Sequence, residues 1–247
     1  MSAPAVPAAR IRSQARFETM TLLRNGEQLL VAVVLPAMAL VGLTVSQSPS
    51  LGPGRRVDLA AAGVLALAVV STAFTGQAIS TGFDRRYGVL RYLGVSPLGR
   101  SGLLAGKVLA VLAVLAVQVF ALGALALALG WRPVLGGLIP ALITLVLGAG
   151  AFVALALLLA GTIRAEAVLA LANLVWVLLL GLGLLVPTAV LPGVLARGTP
   201  YLPSGALGDA LRAALVHGQW PWSQWLVLVA WGAVGGWVVS RVFRWAA

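Results

Sequence analysis

GGLIPALITLVLGAGAFVALALLLAGT, residues Gly136–Thr162, runs without one charged side chain. A membrane-spanning helix needs about 20 mostly apolar residues to cross the hydrocarbon core, and this stretch exceeds that length. Five further apolar runs lie on either side of it, at Gln28–Ser46, Leu59–Gly82, Val108–Gly130, Val168–Pro187 and Gln224–Ser240. Together they predict an all-α integral membrane protein with about six transmembrane helices. Composition agrees: 61% of the 247 residues are hydrophobic and 9% charged, against roughly 45–50% and about 25% in soluble domains. Too little polar surface is present to cover a water-soluble globule.

The formal charge of +11 does not point to nucleic acid. The arginines stand mostly between apolar runs, where they set orientation and meet anionic lipid headgroups. With an N-terminus on the cytoplasmic side, four Lys and Arg precede the first span and five fall in Phe83–Lys107. Arg164, Arg241 and Arg244 join them, whereas the outer side holds Arg55, Arg56, Arg132, Arg197 and Arg212. This bias places both termini inside, in a multi-pass protein of the cytoplasmic membrane. Trp220, Trp222 and Trp225 then fit an outer aromatic belt.

Arg10, Arg12, Arg16 and Arg24 precede the first apolar run, as in a secretory signal, but Gln28–Ser46 is longer than the roughly 7–15 residues of a signal core. It reads as a retained span. Residues 1–9 read as a tail, and Arg10–Asn25 mixes arginines with Ile11, Phe17, Met20, Leu22 and Leu23 as a helix in the headgroup layer would. Residues 1–25 thus form a tail and interfacial amphipathic helix. Residues 26–247 form one six-span domain, with a cytoplasmic loop at 83–107 and an outer loop at 188–223. In the outer stretch Ser204 can cap a short helix that aligns Leu207, Leu211 and Leu215. Read from its residues alone, that helix rests on the membrane surface before the last span. Gly232-x-x-x-Gly236 is a candidate helix-packing face.

The loop Asp84-Arg85-Arg86-Tyr87-Gly88-Val89-Leu90-Arg91-Tyr92-Leu93-Gly94-Val95-Ser96-Pro97 is longer than a link between spans requires. Val89, Leu90 and Leu93 share one face of a short helix. Gly94 can end that helix in the left-handed conformation, and Ser96-Pro97 can begin the next. The segment resembles the second-to-third-span loop of type-2 ABC exporter permeases. The matches are Asp84-Arg85, Gly88, Leu90, Leu93, Pro97 and Gly106-Lys107; Asp84 stands where Glu is commoner and Val89 where Thr is common. The resemblance implies that the loop is a coupling helix docking into a groove of an ATPase subunit through Asp84, Arg85, Gly88, Leu90, Arg91, Leu93 and Pro97. It further implies a second permease chain, identical or related, and short helices dipping into the outer leaflet as an external gate. ATP and Mg²⁺ would sit on the ATPase partner, with no cofactor on this chain.

The chain lacks an ATP site of its own. At the near miss to a phosphate loop around Gly106-Lys107, Ser101 replaces the first Gly and Val108 the hydroxyl residue. Cys is absent and His217 is the only histidine, so neither a metal site nor a catalytic constellation emerges within the chain. Glu18, Glu27, Asp58, Asp84, Glu166 and Asp209 all avoid the middle of a span, which disfavours ion-coupled transport. Thr72, Thr75, Gln77, Gln118, Thr144 and Asn173 are the main polar residues inside spans. They either bond between helices or, in the case of Thr72, Thr75, Gln77, Gln118 and Asn173, line a translocation path. The expected function is the permease subunit of an ABC exporter for an amphipathic or apolar substrate such as a drug, lipid or lipid-linked compound. An ion-coupled carrier or channel and an integral membrane enzyme are the alternatives.

Because the chain has no Cys, single cysteines at Ser50, Arg91 and Gly198 can be labelled without background. An impermeant thiol reagent outside intact cells should reach positions 50 and 198 and spare 91; labelling of 91 would reverse the orientation.

Overall fold

The computed structural model describes residues 6–24, 26 and 30–243. Glu27, Gln28 at the start of the first run, and Arg244 lie outside them. The described residues are all helical or loop, with no sheet. The elements are α1 (Pro7–Arg24), α2 (Leu35–Val45), α3 (Arg56–Arg86), α4 (Val89–Val95), α5 (Gly99–Ala128), α6 (Leu138–Thr162), α7 (Ala165–Leu179), α8 (Gly193–Gly198), α9 (Pro203–His217) and α10 (Trp222–Val242). The chain is a multi-span membrane protein; among the described residues five helices are long and apolar enough to cross, namely α3, α5, α6, α10, and α7 with its extension to Leu184. The sixth expected span falls on the first apolar run, where the described residues from Leu30 to Val45 are helical and Ala32–Val45 is an apolar helix. The N-terminal helix begins at Pro7, earlier than the tail reading of residues 1–9 allowed, with Pro in the first turn where its missing N–H costs nothing.

Helix α3 is the hub. Of its most apolar window 94% is buried, against 22% for α7 and for α10. Its run Ala60-Ala61-Ala62-Gly63, with Ala66 and Ala68, lets neighbouring backbones approach, the device that holds membrane helices together where lipid removes the hydrophobic drive. A Cβ at Gly63 would stand 2.9 Å from the Leu184 carbonyl oxygen. Between α10 and α6 the close contacts are made by Gly232 on Ala151 and Gly235 on Ala154. Gly236 meets nothing within 4 Å, so the packing face uses i and i+3 in place of the predicted i and i+4.

The outer-loop helix α9 does not rest on a surface. Leu207, Leu211 and Leu215 are buried, and α9 packs on α3, α6 and α10. Pro203 opens it, and Ser204, expected as its cap, instead donates to the Leu182 carbonyl at 2.7 Å. This bond serves a break in the backbone. The turn after α7, Leu180–Leu184, is a π-turn in which Leu182 (φ −100°, ψ 62°) and Gly183 (φ 90°) leave helical geometry. Arg212 donates to the Gly183 carbonyl at 3.0 Å and to that of Leu184, and is held by Asp209 at 3.0 Å. Burial pulls the Arg212 pKa down to about 10 and Asp209 opposes the shift, so Arg212 stays cationic at neutral pH. Arg212, which the sequence suggests as an outer headgroup charge, is a buried clamp on released carbonyls.

Gly208 lies at this junction, and a Cβ there would come within 2.0 Å of the Gly183 oxygen. Gly208→Ala should destabilise the detergent-solubilised chain by about 1–3 kcal/mol. Gly150→Ala, at a helical glycine with nothing within 4 Å, should leave thermal unfolding within about 0.5 kcal/mol of the parent.

Candidate functional site

One end of the bundle gathers α1, the last turns of α3, α4, the start of α5 and the α6–α7 junction. Arg10 donates to the Pro97 carbonyl, and Arg85 donates to the Ile163 carbonyl at 2.5 Å. Arg86 pairs with Glu166. At the centre of this end Lys107, 2% exposed, stands 2.9 Å from Asp84 and 3.3 Å from Glu18. A buried ammonium needs paired, hydrogen-bonded partners, and these two carboxylates come from α3 and α1. The α1 helix can lie close along α5 because Gly102 and Gly106 offer no side chain there: a Cβ at Gly106 would fall 2.8 Å from Gln14. Gly106-Lys107, where a phosphate loop was sought, thus builds a helix-packing and ion-pair site.

Above this cluster lies a cavity of about 540 Å³ between α3, α5, α7, the end of α1 and the start of the α2 segment. Thr72, Thr75, Gln77 and Asn173, four of the five residues proposed from sequence for a path, line it. Ser71, Ser80 and Asp84 line it too, although none of these three was picked out for a path from sequence. The fifth, Gln118, lies behind the wall. It accepts from Thr72 Oγ1 at 2.8 Å and donates to the Ala32 carbonyl at 2.6 Å, tying α3, α5 and the α2 segment. Gln77 donates to Thr81 at 3.0 Å. Thr144 is elsewhere, accepting from Trp225 Nε1 at 2.8 Å.

The wall has a local cause. Over Val70–Gly76 the helix α3 widens into a π-helix, a geometry frequent at functional sites because it re-aims side chains out of α register. Ser71, Thr72 and Thr75 stand on that segment. Ser71 accepts from Trp176 Nε1 at 2.8 Å. The Thr75 hydroxyl, buried at 5% exposure, has no hydrogen-bond partner among the described residues.

The coupling-loop candidates divide by exposure. Helix α4 is present, but its boundary glycines differ from expectation: Gly88 (φ 75°) and Gly99 (φ 68°) are left-handed, and Gly94 lies inside the helix. Ser96 donates to the Leu93 carbonyl at 2.6 Å and closes the turn. Leu90 is 1% exposed and faces its own chain, which corrects its expected place on an outward apolar face. Leu93 lines a groove with Arg10, Gln14 and Leu98. Asp84 and Arg85 are engaged in the bonds above. Arg91 and Pro97 are exposed, Gly88 partly so. Tyr87, Val89 and Tyr92, at 68%, 39% and 77% exposed, form the apolar surface that α4 turns outward.

An all-α bundle with a polar cavity running between its spans is the architecture of a membrane transport component. Residues 36–241 match the family described as ABC-2 family transporter protein, and the chain belongs to that family. It is a multi-pass membrane permease component and not an enzyme. Among the described residues no group of three His, Cys, Asp or Glu could hold a metal. No curated protein matches the chain.

Lys107→Met would leave Glu18 and Asp84 facing each other without their cation. Asp84 is one-third exposed, so the loss is below that of a fully buried pair: about 2 kcal/mol or more. Adding Glu18→Gln should restore part of it, read as thermal unfolding in detergent.

Proposed function

We propose that the chain is the permease subunit of an ATP-driven exporter of the cytoplasmic membrane. It has six spans, both termini cytoplasmic, and works beside an ABC ATPase subunit and a second permease chain. The carrying observation is the position of Asp84, which belongs both to the cavity lining and to the ion cluster that braces α1 and α5 around α4. A motion imposed on α4 from outside reaches the cavity floor through that residue. The ATPase supplies the motion when ATP closes its dimer. Of the coupling residues, Arg91 and Pro97 with Tyr87, Val89 and Tyr92 make the contact. Asp84, Arg85, Gly88, Leu90 and Leu93 hold α4 in position for it.

The substrate path is the cavity, with Thr72, Thr75, Gln77 and Asn173 on its wall and Gln118 fixing the wall's shape. Hydroxyls and amides interspersed with Ile79, Val114 and Leu169 suit an amphipathic molecule entering from the inner half of the membrane. The external gate is formed by α9 and the turn it clamps.

Purified alone, the chain should hydrolyse no ATP, since no phosphate loop exists. Tagged and isolated from its native membrane, it should bring down a protein bearing that loop. Tyr92→Asp should insert normally and lose that ATPase at least tenfold, since burying such a side chain is worth roughly 1.5–3 kcal/mol. Leu90→Asp should instead lower the yield of the folded permease. Retention of the ATPase by Tyr92→Asp, or no ATPase with the parent chain, would overturn the reading.

A further inference from the structure

Five helical threonines of this protein give their hydroxyl proton to their own backbone. Thr19, Thr21, Thr44, Thr144 and Thr162 each donate to the carbonyl four residues back, at 2.7–2.9 Å, the local bond open to Ser and Thr inside a helix. Thr75 does not. It stands on the π-widened stretch Val70–Gly76, where backbone bonds run over five residues and the register that sets a hydroxyl over the carbonyl four back is lost. Thr75 is 5% exposed, and its Oγ1 has no hydrogen-bond partner among the described residues.

Ser71 lies four positions earlier on the same stretch and is as deeply buried. Its oxygen accepts from Trp176 Nε1 at 2.8 Å, and it donates to nothing among the described residues. Both residues line the cavity, so two unused O–H donors border one space. An unmet buried hydroxyl costs free energy that an oxygen atom of a guest recovers. Val114 and Leu169 line the same space and offer apolar surface. A volume of about 540 Å³ falls within the range of drug-sized sites.

The guest's group at this point is uncharged. Asp84 is the one charged side chain among the described lining residues. It lies nine positions beyond Thr75 along α3, roughly 14 Å by helical rise, and is already 2.9 Å from Lys107. An ion seated beside Thr75 would be buried without a counter-ion on the wall, whereas a neutral carbonyl incurs no such penalty.

We propose that Ser71 and Thr75 set the specificity of the cavity by donating to an uncharged oxygen acceptor, a ketone, ester or amide carbonyl, on an amphiphile whose apolar body lies along Val114 and Leu169. This rests on reading the cavity as the substrate path and adds the chemical group by which a substrate is recognised.

Fluorenone and fluorene share a ring frame and differ by one carbonyl oxygen. Ser80→Cys places the chain's only thiol on the cavity wall, and protection of that thiol from a water-soluble maleimide reports occupancy in nanodiscs. Ether-linked phosphatidylcholine is the lipid, because it carries no carbonyl of its own. The ketone should protect at bilayer concentrations about fivefold or more below those of the hydrocarbon, a preference of about 1 kcal/mol. Thr75→Val in that background should cut the preference below about twofold, and Thr75→Ser should keep it. Thr75→Val should also leave the ligand-free unfolding temperature unchanged or raised, since the hydroxyl it removes has no partner. A fall of several degrees would reveal a structural bond and overturn the assignment. In ester-linked lipid, a preference that persists assigns the site to a free guest, and one that vanishes assigns it to the lipid's own acyl esters; both are the acceptor chemistry proposed. Equal protection by the two probes in ether-linked lipid, or a preference that survives Thr75→Val, overturns recognition of an acceptor and leaves the path reading standing. Protection by neither probe shows that the cavity admits no such guest, and the path reading falls with it.

Discussion

Where a helix unwinds at membrane depth its carbonyls lose their internal donors, and lipid offers none in exchange. That constraint shapes this protein at two places. At Leu30–Val34 the π-turn presents the Ala32 carbonyl, which Gln118 meets from α5. At Leu180–Leu184 the break releases three consecutive carbonyls, and Ser204 and Arg212 of α9 meet all of them. A further π-helix, Val70–Gly76, stays helical but widens enough to re-aim a row of hydroxyls. The burial of α9 follows from the second: a helix carrying a cation to carbonyls inside the bundle must itself enter the bundle. The glycines follow from α9, since Gly63, Gly183, Gly205 and Gly208 clear the space in which the clamp sits.

The opposite end is organised by one lysine. Lys107 draws a carboxylate from α1 and another from α3 to one buried ammonium, so α1 is fixed to the bundle by charge as well as by packing on α5. Helix α4 lies between these fixed points, with Leu90 turned inward and left-handed glycines at either side.

Much of this was legible in the sequence. Apolar runs of span length give the helices, and the polar residues embedded in them give most of a cavity wall, because a hydroxyl or amide inside a span must meet either another helix or water. Which of the two is not encoded locally. Thr72 and Gln118 are 46 residues apart, and only their meeting in space separates the wall's brace from its lining. The amphipathic loop was legible as well, yet its pattern does not say whether Leu90 faces a partner or its own chain; both demands select the same residue. Arg212 shows the converse failure. A loop arginine is ordinarily solvated, and nothing in Asp209-Ala210-Leu211-Arg212 announces the carbonyls released almost thirty positions earlier in the chain.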